Sequence, residues 1–436
     1  MENPKIVFSP MRNAVPAQGG AIDLLIRVQS PDWPIDKAVE HTPKRLALVV
    51  DRSGSMAGQP LDEALKCVSH IAKHLTPKDA LSIVVYDAQV DLLMPIGPML
   101  SVAAVENAIA QVTSGGTTNL HGGWLAGAEQ LEGGIAKAIS RVILLSDGQA
   151  NEGLTIQHEI EAQCRAWHER GVTTTTVGLG RDFNETLMMG MAQAGGGQNY
   201  YGQRAEDLFD NFEEEFSLLQ AMYMRKLSVK LLPAAGVIIE MISPVVKQSD
   251  GKYRLTDLAW EAESWLGIRL HVTHSAEGSM RDLLAATIEG TTMYGEHIEV
   301  SAPVLQLPAL DTAEYASLRE DEMVQRRLNE LRFAQSSARL RELAKSGDVE
   351  AAKRLLSTLE EEFGSNEWLK AKIAQLRRMT EEDMEMMSKE VQYTAFRMSS
   401  RLASKSEVAF CMDETNSEMP SFLRKKVSEG RGRSKT

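Results

Sequence analysis

Oxygen-bearing side chains follow two apolar stretches of this sequence at the points where each stretch ends. Asp51, Ser53 and Ser55 stand at alternate positions after Leu46–Val50, and in the later run VILLSDG a second predicted strand ends in Asp147. Apolar runs of this kind are typical of buried parallel strands, whose carboxyl ends carry ligand-binding groups. Hydroxyl and carboxylate oxygens, with few carboxylates among them, form a set that Mg²⁺ accepts. The pattern predicts a divalent-cation site for Mg²⁺, with Mn²⁺ or Ca²⁺ as alternatives.

A third segment, Gly115-Gly116-Thr117-Thr118-Asn119, adds hydroxyl groups directly before a predicted helix. Either threonine could supply a further oxygen ligand. A plainer interpretation exists for each segment taken alone, because Ser and Asp after a strand commonly cap helices and Ser-Asp-Gly is an ordinary turn. The three segments together, each between a strand and a loop or helix, favour the metal site.

In this order the segments resemble the metal-ion-dependent adhesion site (MIDAS) of the von Willebrand factor type A (VWA) family. That motif reads D-x-S-x-S, then a Thr, then an Asp at the end of a later strand, and the resemblance covers roughly residues 44–218. The resemblance favours Thr118, which directly precedes Asn119, over Thr117 as a ligand. It implies that Asp147 acts through water. The metal-binding residues that the resemblance implies are Asp51, Ser53, Ser55, Thr118 and Asp147.

The composition narrows the class of protein. The chain has 436 residues and a net charge of −13, which argues against a general nucleic-acid surface. Its cysteines, Cys67, Cys164 and Cys411, are odd in number and far apart, so they predict no disulfide framework. The sequence shows neither a signal-peptide pattern nor a membrane-length apolar run. A cytoplasmic protein is expected, and the arrangement resembles bacterial cytoplasmic members of the family.

The predicted fold class is α/β. A doubly wound, mostly parallel, Rossmann-like VWA sheet is expected to be inserted in a β-sandwich that is followed by an α-helical C-terminal region. Leu81–Tyr86 and Val90–Met94 are predicted to form a hairpin at the edge of the VWA sheet. Gly20–Val28 is the one clear strand before residue 44, and we expect it to join the sandwich. The predicted segments are 1–43 (strand segment), 44–220 (VWA domain), 221–310 (sandwich), 311–410 (helices) and 411–436 (basic, disordered tail).

Beyond residue 310, helices are predicted from their caps and apolar stripes. Asp311 with Glu314 is expected to start a helix that carries the stripe Val324, Leu328 and Leu331. The Met-rich stretch of residues 384–387 is interpreted as core packing rather than as a cofactor or partner site.

Enzyme signatures are weak in this chain. Ser53 stands where a phosphatase that uses an Asp nucleophile needs a second Asp, and no phosphate-binding loop motif occurs. His70 and His74 are four apart on a predicted helix, but Ile71 stands where a zinc-protease motif needs Glu. We interpret this histidine pair as a solvated or half-buried helix face rather than as a zinc site.

The functional prediction is a non-enzymatic, Mg²⁺-dependent interaction module or scaffold. An open coordination position would capture an Asp or Glu side chain of a protein partner. One alternative is a metal-dependent hydrolase, and another is a regulatory subunit that acts through its basic C-terminal tail. A hydrolase would need a general base, for which the candidates are Asp87, His121 and Glu152. The sequence does not indicate the oligomeric state.

Overall fold

The computed structural model describes residues 2–32, 42–133, 138–179, 183–202, 204–245, 247–400 and 403–404. The predicted basic tail, with Cys411, lies outside the described residues. The chain divides into two compact units, one made of residues 1–35 and 221–436 and the other of residues 36–220. Each unit is described by itself.

The strands are, in chain order, β1 (Lys5–Pro10), β2 (Val15–Pro16), β3 (Gly20–Gln29), β4 (Lys44–Asp51), β5 (Ala80–Tyr86), β6 (Val90–Pro98), β7 (Ile139–Ser146), β8 (Val172–Leu179), β9 (Gly196–Gly202), β10 (Met222–Pro233), β11 (Val237–Met241), β12 (Tyr253–Arg254), β13 (Leu258–Ala259), β14 (Ala262–Val272), β15 (Met280–Thr292), β16 (His297–Ser301), β17 (Leu305–Leu310) and β18 (Ala403–Ser404). The α-helices are α1 (Gln59–Lys73), α2 (Val102–Ile109), α3 (Leu120–Gln130), α4 (Gln157–Glu169), α5 (Glu185–Ala194), α6 (Ala205–Gln220), α7 (Thr312–Ser317), α8 (Glu322–Ser346), α9 (Val349–Phe363), α10 (Glu367–Glu382) and α11 (Met384–Ser400).

The unit of residues 36–220 contains a mixed sheet with the strand order β6-β5-β4-β7-β8-β9. The pairs from β5 to β9 are parallel, whereas β5 and β6 form an antiparallel hairpin at one edge, as predicted. Because β4 and β7 are neighbours, the carboxyl end of β4 at Asp51 lies beside the end of β7, directly before Asp147. The chain continues from β4 toward one edge of the sheet and from β7 toward the other. Ligands of open α/β sheets bind at such a reversal of strand order.

Helix α3 packs closely against this sheet. A Cβ atom added to Gly123 would lie 2.3 Å from the ring of Tyr86, and one added to Gly127 would lie 2.4 Å from a methyl group of Val49. Trp124, between these glycines, is fully buried, and its indole N–H donates to the hydroxyl of Thr174 over 3.0 Å. Because the two glycines lack side chains, α3 and the loop that precedes it can pack directly on β4 and β5.

The other unit contains two sheets that are mainly antiparallel. One has the order β1-β3-β14-β11, and the other has the order β12-β10-β15-β17-β2. Strand β3 pairs along its whole length with β14, so the segment before the VWA-like region and the segment after it share one sheet. A buried ion pair joins these strands, since Arg27 donates to Glu263 over 2.7 and 2.8 Å. The face-to-face packing of a β-sandwich and the doubly wound layout of the other unit stay predictions.

Two expectations for this unit were wrong. The N-terminal segment contains β1 and β2 as well as β3, and β1 escaped notice because it is a half-buried edge strand without clear alternation. The helix that Asp311 caps ends at Ser317, and the stripe beginning at Val324 belongs to α8, which has its own cap at Asp321. The side chain of Asp321 accepts from the Val324 N–H, which satisfies a helix-terminal donor.

Helices α8 to α11 share an apolar core. Met387 is fully buried in it and Met384 packs at its margin, which agrees with the predicted packing role of the Met-rich stretch. Among the described residues, no helix is both long enough and apolar enough to span a membrane.

Candidate metal centre

Asp51 is fully buried at the end of β4, where three groups donate hydrogen bonds to its carboxylate. One oxygen accepts from the backbone N–H of Ser53 over 2.8 Å. The other accepts from the hydroxyls of Ser146, over 2.6 Å, and Tyr86, over 3.1 Å. Because β7 and β5 flank β4, both hydroxyl donors come from neighbouring strands. They fix the orientation of the carboxylate.

Ser53 and Ser55 lie in the turn after β4, directly before α1. Ser53 is buried and Ser55 is exposed, and their Oγ atoms are 3.2 Å apart. Neighbouring ligands around an octahedral Mg²⁺ with bonds of about 2.1 Å lie about 3 Å apart. The two hydroxyls therefore have a spacing that suits adjacent positions on one cation.

The loop of residues 115–119 lies against this turn. The N–H of Gly54 donates to the carbonyl of Gly116 over 3.1 Å, and the N–H of Gly115 donates to the carbonyl of Arg52 over 2.9 Å. Gly116 has a φ of +74°, a left-handed conformation that favours glycine. These bonds bring the loop of residues 115–119 to the turn that carries Ser53 and Ser55.

The two threonines of this loop have different surroundings. Thr118 is buried, and its backbone N–H donates to the side-chain carbonyl of Asn151 over 2.7 Å. Thr117 is exposed, and its hydroxyl donates to the carboxylate of Glu152. Burial beside the other segments favours Thr118 as the hydroxyl that faces a cation.

Asp147 is the first residue after β7 and is 7% exposed. One carboxylate oxygen accepts from the N–H of Gln149 over 3.1 Å, as expected for a turn at a strand end. Its carbonyl accepts from the N–H of Asn184 over 2.7 Å, which ties the turn to the start of α5. The segment that carries Asp147 therefore also lies at this end of the sheet.

Sequence reasoning missed the residues that hold the Asp51 carboxylate. Tyr86 is paired with Asp51 in the register of β4 and β5, and Ser146 directly precedes Asp147. The signal available in the sequence was their position at the ends of neighbouring strands. Asn151, which holds the Thr118 loop, was also missed, and no spacing rule indicates it.

The electrostatics of the centre suit a cation. Burial raises the pKa of Asp51 above its ordinary value, opposed by the hydrogen bonds from Ser146 and Ser53, and the neighbouring Asp147 carboxylate raises it further. Burial, together with the charge of Asp51, also raises the pKa of Tyr86 well above its usual value, so this phenol stays a hydrogen-bond donor. Two buried carboxylates side by side repel each other, and a divalent cation would offset that repulsion. The donor set is entirely oxygen, which suits Mg²⁺.

The three predicted general bases of a hydrolase each contact another side chain. Asp87 accepts from the guanidinium of Arg52 over 3.1 Å. His121 bonds to the side chain of Gln163 over 2.9 Å, and Glu152 accepts from the Thr117 hydroxyl.

Comparisons with known proteins show which residues of this chain match a known family. Residues 46–215 match the family model of the von Willebrand factor type A domain. The protein sll0103 of Synechocystis sp. is 25% identical over 227 residues, which are 50% of this chain and 53% of that protein. Inter-alpha-trypsin inhibitor heavy chain H1 of Mesocricetus auratus is 28% identical over 177 residues, which are 38% of this chain and 19% of that protein. The chain thus spans about half, or less, of the length of these curated relatives.

A solved structure described as von Willebrand factor type A from Catenulispora acidiphila is similar over 91% of this chain and 97% of its own, with a TM-score of 0.68 and 15% identity. At that identity the likeness concerns the fold alone. It agrees with the mixed sheet and surrounding helices found here. Residues 46–215 are a von Willebrand factor type A domain.

Proposed function

We propose that the VWA domain is a Mg²⁺-dependent protein-interaction module, with a MIDAS that captures an acidic side chain of a partner. The proposal rests on one observation above all. Three separate segments bring buried carboxylates and hydroxyls to the carboxyl ends of two neighbouring strands, β4 and β7. The residues that would hold the cation are Asp51, Ser53, Ser55, Thr118 and Asp147.

The cation would supply positive charge and an open coordination position for a carboxylate. Charge-assisted contacts of this kind are short and strong, and they require the metal. The chain's own residues hold the ligands in place: Tyr86 and Ser146 orient Asp51, and Asn151 orients the loop that carries Thr118. A site whose ligands are fixed before binding loses little entropy when a partner arrives.

Interaction by a scaffold rather than catalysis fits the surroundings of the site. VWA domains often mediate protein–protein interactions, and one relative of this chain is an inhibitor heavy chain. Each candidate base is engaged by another side chain. Cys67 and Cys164 are buried free thiols, which is consistent with a proposed cytoplasmic location.

Affinity capture with the full chain tests this proposal. Wild type, Asp51→Ala and the control Asp250→Ala are immobilised and exposed to a native lysate with Mg²⁺ or with chelator. Asp250 is a suitable control because it is a carboxylate of the other unit, exposed and paired with Lys252. We expect one set of intact partners on wild type and Asp250→Ala with Mg²⁺ only, and none on Asp51→Ala. Partners retained under all conditions, or released as cleaved products, would contradict the proposal.

A further inference from the structure

A second group of metal-ligating side chains lies between α1 and α6. His70 lies in the last turn of α1, His74 is the residue that caps its C-terminus, and Glu213 belongs to α6. One ligand atom of each lies within 4.8 Å of the others. The sequence shows the two histidines but not the carboxylate, which lies 139 positions after His74. Packing of α1 against α6 brings the third ligand to the pair.

In the described part of the chain, a nitrogen of each imidazole is left without a hydrogen-bond partner or with its lone pair free. Nδ1 of His74 lies 2.8 Å from the carbonyl oxygen of His70. Because a carbonyl only accepts, Nδ1 carries the proton and Nε2 carries the lone pair. A backbone carbonyl bonded to the other ring nitrogen is the usual partner of a metal-ligating histidine. Nε2 of His70 is buried and has no hydrogen-bond partner among the described residues.

Aromatic contacts hold the two histidine rings against α6. The His70 ring stacks on Phe209 with centroids 4.0 Å apart and a tilt of 4°. The His74 ring stacks on Phe216 at 5.8 Å and 17°. At the start of α6, the N–H of Ala205 donates to the carboxylate of Glu63, a residue of α1, over 2.6 Å. The two helices are therefore fixed to each other on either side of the cluster.

We propose that His70, His74 and Glu213 form a transition-metal site that binds Zn²⁺ and links α1 to α6. Two imidazoles and one carboxylate are a common zinc ligand set, whereas Mg²⁺ prefers oxygen ligands. Tetrahedral zinc with bonds of about 2.1 Å needs ligand atoms about 3.4 Å apart. The exposed Glu213 side chain can rotate toward the two rings and supply this small closure, and the fourth position takes water or an external ligand. The site is separate in residues and in metal preference from the oxygen site at Asp51.

Zinc binding to the full chain, freed of metal and held in excess Mg²⁺, tests the inference by calorimetry. Co²⁺ absorption provides a second measurement, because tetrahedral Co²⁺ with nitrogen ligands gives a visible spectrum. We expect one Zn²⁺ per chain, and in His74→Ala and Glu213→Gln a loss of Zn²⁺ affinity at least as large as the about 10–100-fold that the loss of a group supporting a metal ligand costs. His158→Ala is the matched control, since this histidine is also exposed on a helix of the same unit, and it should bind Zn²⁺ as wild type does.

Both ligand variants change exposed side chains, so their folding is checked by thermal unfolding without metal. Repeating the Zn²⁺ titration in Asp51→Ala shows whether Zn²⁺ binds independently of the oxygen site at Asp51. We expect the Zn²⁺ affinity of this variant to equal that of wild type. Absence of Zn²⁺ binding in wild type would overturn the inference. Equal Zn²⁺ affinity in wild type and His74→Ala would also overturn it.

Discussion

Replacing Ser146 by Ala is expected to weaken both predicted carboxylate ligands at once. Its hydroxyl donates to Asp51 over 2.6 Å and accepts from the N–H of Gly148, next to Asp147, over 2.7 Å. Loss of a hydrogen bond to a carboxylate costs about 1.5–3 kcal/mol, and a buried N–H left unpaired costs about 1–3 kcal/mol. Groups that orient metal ligands typically change metal affinity about 10–100-fold, or about 1.4–2.7 kcal/mol. We therefore expect Mg²⁺ affinity to fall by that factor.

Calorimetric titration with Mg²⁺ measures the affinity, and chemical denaturation in chelator measures the stability. Ser82→Ala is the matched control, because Ser82 is a fully buried serine of β5 whose hydroxyl donates to the carbonyl of Met94 over 2.9 Å. Both variants should lose stability, but only Ser146→Ala should lose Mg²⁺ affinity. Equal Mg²⁺ affinity in Ser146→Ala and wild type would refute the reasoning.

Three further predictions concern stability. Burial raises the pKa of Asp51 above 3.8, so the metal-free folded state binds the proton more tightly than the unfolded chain does. The free energy of unfolding therefore falls as the pH rises above that value. Denaturation in chelator from about pH 4 to 7 should show a smaller fall in Asp51→Asn than in wild type. Glu263→Ala leaves Arg27 buried without its partner and should lower the free energy of unfolding by about 3–5 kcal/mol, while the Mg²⁺ affinity stays unchanged. A variant as stable as wild type would contradict this prediction. Gly123→Ala places a Cβ atom 2.3 Å from the Tyr86 ring and should cost about 1–3 kcal/mol or more in thermal unfolding; a variant as stable as wild type would show that α3 packs less closely.

The sheet of the VWA domain follows closely from local sequence. Strands such as Leu46–Val50 are continuous apolar runs because both faces of the sheet are covered, and such runs have few alternative structures. The edge hairpin was equally predictable, since Asp87-Ala88-Gln89 joins two short strands. Strand β1 could not be read because an edge strand is half exposed and carries little alternation. The break between α7 and α8 was missed because the cap at Asp321 lies within a polar stretch, where Glu320 and Glu322 on either side obscure it.

The sequence predicted the candidate metal ligands but not the residues that orient them. Asp51, Ser53 and Asp147 stand out because each follows an apolar strand. Their supports do not, since Ser146 and Tyr86 serve the site only through the register of neighbouring strands. Contacts between residues far apart in sequence carry no local signal.

The most direct test of the metal-dependent capture is a crystal structure of the full chain grown with Mn²⁺ and glutarate, a small dicarboxylate. Anomalous scattering locates the cation. The account predicts a peak in bonding contact with the hydroxyls of Ser53 and Ser55, close to Asp51, with a glutarate carboxylate completing the coordination. No peak beside the hydroxyls of Ser53 and Ser55, or a cation there whose positions are all filled by protein oxygens, would contradict it.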